Sequence, residues 1–128
     1  MAHIAWIGAG VMGRPMAGHL AAHGHSVSVY TRRFETLSEV AAQYHLTPCS
    51  TIAQAVQDAD AIFVMVGYPR DVEEVFTGAE GIFAHAKPGA LAIDMTTSSP
   101  ALAQRLHALG KERGIRVLDA PVSGGDSG

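Results

Sequence analysis

Short runs of β-branched and other apolar residues alternate with longer Ala- and Leu-rich stretches along the chain. His3-Ile-Ala-Trp-Ile7 reads as a strand that stops at the glycine cluster Gly8-Ala-Gly10, with Trp6 in the core. Met12, Met16 and Leu20 recur at four-residue spacing, which predicts a helix from Val11 to about His23. Pro15 falls early enough for the first turn, and Gly24 ends the helix. Ser26-Val-Ser-Val-Tyr30 alternates as a strand does, and a helix around Phe34 to Gln43 turns Leu37 and Val40 inward. Pro48 closes a short extended piece, after which Ser50 or Thr51 caps a helix through Val56. Ala61 to Val66 is apolar throughout, the pattern of a strand covered on both faces. Pro69 starts a helix through Val75, and Ala90 to Asp94 is a second buried strand. Ser98 or Ser99, with Pro100 just after, opens a long helix to about Arg113. Ile115 to Leu118 gives a last strand, broken at Ala120-Pro121. Met12, Met16, Met65 and Met95 fall on apolar faces and fill core gaps. Strand and helix take turns, which predicts an α/β fold: a Rossmann-type doubly wound parallel sheet with helices on both faces.

Composition narrows the class. The chain has 128 residues, 48% of them apolar and 16% charged, which suits one globular domain over residues 1–128. Its net charge of −3 argues against a broad nucleic-acid or anionic-membrane surface. The single cysteine, Cys49, has no internal disulfide partner, which fits a reducing compartment. No apolar run approaches the roughly 20 residues of a membrane helix. The opening residues lack a basic, apolar and small-residue leader pattern, so a soluble cytoplasmic domain is expected. The polar, glycine-rich stretch Val122 to Gly128 reads as the end of a domain cut short.

Gly8-x-Gly10-x-x-Gly13 follows a strand and opens a helix, the context in which such a loop binds a dinucleotide. Gly8 permits the tight turn, Gly10 lets backbone approach a pyrophosphate, and Gly13 brings helix close to strand. The helix N-terminus offers free N–H donors to phosphate. A Rossmann methyltransferase also uses a glycine-rich first loop and competes at this point. The end of the second strand sharpens the choice. NAD sites place an acid there for the ribose 2′-hydroxyl, whereas NADP sites offer arginine. After Tyr30 the chain reads Thr31-Arg32-Arg33, with no acid before Glu35. Paired guanidiniums favour a 2′-phosphate, so the expected cofactor is NADP, ahead of NAD.

Three stretches resemble the β-hydroxyacid dehydrogenases: Gly8-Ala-Gly-Val-Met-Gly-Arg-Pro-Met-Ala17, Asp94-Met-Thr-Thr-Ser-Ser-Pro100 and Asp119-Ala-Pro-Val-Ser-Gly-Gly125. That family includes 3-hydroxyisobutyrate dehydrogenase, tartronate semialdehyde reductase and, more distantly, 6-phosphogluconate dehydrogenase. The resemblance implies that Gly8, Ala9, Gly10, Val11, Met12 and Gly13 surround the pyrophosphate. Thr31, Arg32 and Arg33 would face the adenosine ribose, Thr31 replacing an asparagine common in NADP-using members. Val66 and Gly67 would line the adenosine and ribose side, Gly67 replacing a frequent proline. Thr96 and Thr97 would sit near the nicotinamide ribose. Ser123, Gly124 and Gly125 would hold the substrate, a small hydroxyacid or semialdehyde. Asp119 reads first as a structural carboxylate.

The same resemblance implies a proton-donating lysine, helped by an asparagine, on the helix after the glycine motif, beyond Gly128. It also implies a further all-helical domain that closes over the nicotinamide and makes a homo-oligomer. On this reading the intact protein is an oxidoreductase, and this chain by itself binds cofactor but catalyses little. Lys87 and Lys111 lie in unrelated segments and do not fit the lysine's role. A second reading is a stand-alone NADPH-binding sensor or docking module without catalysis. His19, His23 and His25 do not complete a metal site, since no third ligand of the right kind is evident. Cys49 has no recognisable basic partner and reads as a packed thiol.

Overall fold

The computed structural model describes residues 3–8, 22, 24–30, 46–65, 69–95 and 100–119. Six parallel strands form one sheet: β1 (His3–Ile7), β2 (Ser26–Tyr30), β3 (Thr47–Pro48), β4 (Ala61–Val64), β5 (Leu91–Asp94) and β6 (Arg116–Asp119). Their order across the sheet is β3-β2-β1-β4-β5-β6. Strands step one way from β1 to β3 and the other way from β4 to β6, so the winding reverses between β1 and β4. That order defines a Rossmann-type α/β sheet.

Four helices belong to the described residues: α1 (Ile52–Val56), α2 (Pro69–Thr77), α3 (Ile82–His85) and α4 (Pro100–Glu112). The start of α1 follows from its cap. Thr51 accepts the Gln54 N–H at 3.1 Å, while Gln54 Oε1 receives the Ser50 N–H and hydroxyl at 3.0 Å each. This is a reciprocal arrangement close to a capping box. Pro100 occupies the first position of α4, where its missing N–H costs nothing, and Lys111 lies in the last turn beside the negative helix end. Among the described residues no helix is long and apolar enough to cross a membrane.

Alternation along the strands sorts their side chains to two faces. Ala5, Ile7, Ile62, Val64, Ala92 and Val117 are buried in one cluster with Val56, Val72, Phe76, Ile82 and Leu106 of the helices. On the other face the register puts Ile4 beside Val27 and Trp6 beside Val29, all buried. Trp6 also stacks on its ladder partner Phe63, ring centroids 5.0 Å apart and planes within 17°. Trp6 is therefore core, as its strand position predicts.

Several boundaries and one element differ from expectation: β5 starts at Leu91 rather than Ala90, and β6 covers Arg116–Asp119 rather than Ile115–Leu118. The β4 ladder closes at Val64, and α2 runs on to Thr77, where the Thr77 hydroxyl donates to the Glu73 carbonyl at 2.7 Å. The sequence pattern does not announce α3. It is four residues long, too short to show a helical period, and no side chain caps it. Burial of Ile82 and Phe83 against Phe76 sets it. Of the helices expected over 11–23 and 34–43, only Ala22, which is helical, falls within the described residues.

Candidate functional site

In an open parallel sheet, ligands bind beyond the carboxyl ends of the strands, where the winding reverses. Here those ends are level. The register aligns Tyr30, Ile7, Val64, Asp94 and Asp119 in one row across β2, β1, β4, β5 and β6. Backbone bonds carry the ladder one residue further at three of these ends: Gly8 N–H to Tyr30 O (2.7 Å), Met65 N–H to Ile7 O (2.9 Å) and Met95 N–H to Val64 O (2.8 Å).

Gly8 stands at the centre of this row with φ of 88°, in the left-handed region that glycine alone adopts freely. The first glycine of the loop is thus a turn residue, as its sequence position predicts. It sits where β1 adjoins both β2 and β4. In sheets of this order a dinucleotide-binding loop begins with a turning glycine at the reversal point, the place Gly8 occupies.

The other sequence-predicted positions lie outside the described residues: Ala9, Gly10, Val11, Met12, Gly13, Thr31, Arg32, Arg33, Val66, Gly67, Thr96, Thr97, Ser123, Gly124 and Gly125. The described strands account for what leads to them. β1 precedes the glycine loop, β2 precedes Thr31 to Arg33, β4 precedes Val66 and Gly67, β5 precedes Thr96 and Thr97, and β6 precedes Ser123 to Gly125. All five of these strands end at the same edge of the sheet.

One residue at this edge went unassigned from sequence. Asp94, the last residue of β5, is 1% exposed and is the one charged side chain buried among the described residues. A carboxylate closing an otherwise apolar strand, Leu91-Ala-Ile-Asp94, was the available signal. It lines a groove of about 380 Å³ between α4 and β6, together with Gln104, His107, Leu118 and Asp119. His107 Nδ1 lies 3.2 Å from the Val117 carbonyl oxygen, which anchors the imidazole on that wall. Among the described residues no group of three or more His, Cys, Asp or Glu side chains could hold a metal ion.

Cys49 is buried beside β2, and its N–H donates to the Val29 carbonyl at 2.9 Å. Burial pushes its thiol pKa up, only partly offset by a hydrogen bond with Ser28. The thiol form is favoured, which makes Cys49 a packed side chain rather than a nucleophile.

The fold and the glycine turn define a dinucleotide-binding domain of the Rossmann type. Comparison with known proteins makes this specific: the chain belongs to the family of the NAD binding domain of 6-phosphogluconate dehydrogenase, whose model matches residues 3–128. It is 48% identical over 125 residues to an uncharacterized oxidoreductase of Bacillus subtilis, a match covering 98% of this chain and 43% of that protein. It is 38% identical to a probable mitochondrial 3-hydroxyisobutyrate dehydrogenase-like protein of Arabidopsis thaliana, covering 98% of this chain and 42% of that one. Among solved structures, Mycobacterium tuberculosis 3-hydroxyisobutyrate dehydrogenase with L-serine superposes with a TM-score of 0.87 at 35% identity. That match covers 98% of this chain and 42% of the other. The chain is therefore an NAD(P)-binding domain of the hydroxyacid dehydrogenase family, and it spans well under half the length of these relatives.

Proposed function

We propose that the chain is the cofactor-binding domain of an NADP-dependent β-hydroxyacid dehydrogenase or reductase. The observation that carries this reading is the Gly8–Tyr30 bond. It sets the glycine turn against the end of β2, one residue before Thr31, Arg32 and Arg33. In NADP the pyrophosphate and the 2′-phosphate are carried on one adenosine ribose, a short span that the ends of two neighbouring parallel strands could serve.

On this reading Gly8 to Gly13 would receive the pyrophosphate through backbone N–H groups, and Arg32 would grip the 2′-phosphate through two donors. Thr96 and Thr97 would orient the nicotinamide ribose. Ser123, Gly124 and Gly125 would hold a short hydroxyacid or semialdehyde at reacting distance, a positioning role. The bound nicotinamide supplies or accepts the hydride. The oxygen that gains charge as hydride arrives needs a general acid. Neither Lys87 nor Lys111 suits that task. Lys87 is held by Asp60 at the opposite edge of the sheet, and Lys111 lies in the last turn of α4. The proton donor would come from a further part of the intact enzyme, and oligomer contacts with it.

Calorimetric titration of the chain with NADPH and NADH tests the proposal. NADPH is expected to bind tighter by about tenfold, or 1.4 kcal/mol, and Arg32→Asp to abolish that preference. A preference for NADH would overturn the assignment of the arginines. No binding of either would overturn the cofactor reading as a whole.

A further inference from the structure

We propose that the phenol ring of Tyr30 is the floor on which the adenine base of the cofactor rests. The inference depends on the cofactor reading above and adds to it a residue that neither the glycine loop nor the arginine pair supplies. In a doubly wound sheet the half built on β1 to β3 takes the adenosine side of a dinucleotide. Tyr30 is the last residue of β2, the middle strand of that half.

Register fixes the face on which the ring lies. Tyr30 pairs with Ile7 of β1, and paired residues of parallel neighbours project to the same face. The Cys49 N–H bond to the Val29 carbonyl extends the β2–β3 register by one residue, which places Cys49 on the other flank of Tyr30. Ile7, Tyr30 and Cys49 thus form one row on the face that carries the described helices, and all three pack in the same apolar cluster. Both flanks are buried, Ile7 at 1% and Cys49 at 7% exposure, yet Tyr30 between them is only partly buried. Beneath it on the same face stands Ser28, whose side chain is hydrogen-bonded to Cys49. Closed on both sides and below, the ring keeps its open side toward the carboxyl end of the strand, the end at which a dinucleotide lies.

The neighbouring strand leaves room there. β1 continues from Ile7 into Gly8, which has no side chain and turns with φ of 88°. The Gly8 N–H meets the Tyr30 carbonyl at 2.7 Å, so the strand end that carries the ring is tied to the glycine turn. Of the five residues aligned at the carboxyl edge, Tyr30 alone is aromatic. Packing in this row is served by aliphatic side chains, as the buried Ile7 and Val64 show. A partly exposed ring offers something more, a flat apolar face against which a flat purine can stack.

Titration with adenosine 2′,5′-bisphosphate tests the inference. Tyr30→Ala is expected to weaken this ligand about tenfold, and Tyr30→Phe, which keeps the ring, to bind it within twofold of the unaltered chain. Cys49→Ala, the buried neighbour in the same row, reports what loosened packing alone does and is expected to stay within about twofold. A loss in Tyr30→Ala no greater than in Cys49→Ala, or an equal loss in Tyr30→Phe, overturns the inference. Should Tyr30→Ala not fold, the ring proton resonances of Tyr30 in the unaltered chain decide. The purine ring current is expected to move them with adenosine 2′,5′-bisphosphate and with NADPH. No movement with either, in a chain that binds NADPH, overturns the inference alone. An unaltered chain that binds neither ligand overturns the cofactor reading itself, a distinguishable result.

Discussion

The Gly8 amide donates to the Tyr30 carbonyl at 2.7 Å, so β1 stays bonded to β2 at the very residue where it turns away, φ 88°. A Cβ in that left-handed conformation costs roughly 1–2 kcal/mol. Gly8→Ala is therefore expected to lower stability by about that amount in urea unfolding. Because the turn begins the proposed pyrophosphate loop, NADPH affinity is expected to fall as well. An alanine variant with unaltered stability and affinity would show that the turn is not needed.

Trp6 is fully buried, and among the described residues its indole N–H meets no hydrogen-bond partner, while its ring stacks on Phe63. An unmet buried donor costs about 1–3 kcal/mol, so removing it offsets part of the volume lost on shortening the side chain. Trp6→Phe is expected to fall within about 1 kcal/mol of the unaltered chain, and Trp6→Ala to lose about 3–5 kcal/mol. Chemical denaturation followed by circular dichroism separates the two. Equal losses would mean that the indole packing, not the missing partner, dominates.

At the amino edge of the sheet, Asp60 accepts the His3 N–H at 3.0 Å and the Lys87 ammonium at 2.7 Å. The hydrogen bond from His3, then that from Lys87, lowers the Asp60 pKa below its ordinary 3.8. A lowered folded-state pKa contributes stability that is present above the unfolded pKa and lost as pH falls through the folded one. Unfolding free energy is thus expected to drop on acidification below about pH 4, and less steeply in Asp60→Asn. Both side chains of the ion pair are nearly half exposed, so added salt should shrink the difference. Parallel acid profiles for the two proteins would remove Asp60 as a contributor.

How legible each part was depends on where its information lies. β1 and β2 have the limits their sequence predicts, because apolar positions and bounding glycines, Gly8 and Gly24, are local signals. Thr51 is the α1 cap for the same reason. Strand order is a different matter. The reversal between β1 and β4 arises from pairings such as Ile7 with Val64, far apart in sequence, which no local pattern encodes. Gly8 could be assigned as a turning glycine from its loop, yet its bond to Tyr30 needed the register. Asp94 reads in sequence as the polar end of an apolar run. Only packing beneath α4 shows it buried, and α3 is visible only through the burial of Ile82 and Phe83.

Gly110 offers the sharpest contest between helix propensity and packing. It lies inside α4, where glycine is about 1 kcal/mol worse than alanine, so propensity alone predicts that Gly110→Ala stabilises. The helix, however, approaches β6 through this residue. A Cβ at Gly110 would stand 2.6 Å from the Ile115 carbonyl oxygen and 2.7 Å from Val117 Cγ2. The Val117 methyl has some freedom, but the Ile115 carbonyl is backbone at the entry to β6. The Ile115 N–H is itself tied to the Gly110 carbonyl at 2.9 Å, so helix and strand cannot separate there without losing that bond. Overpacking of this kind costs about 1–3 kcal/mol, enough to outweigh the propensity gain. Gly110→Ala is expected to lower the thermal midpoint, while Lys111→Ala, one exposed position on, leaves it nearly unchanged. A Gly110→Ala protein that melts higher than the unaltered chain would mean that α4 can retreat from β6 at little cost. The groove holding Asp94 and His107 would then be a soft wall rather than a rigid one.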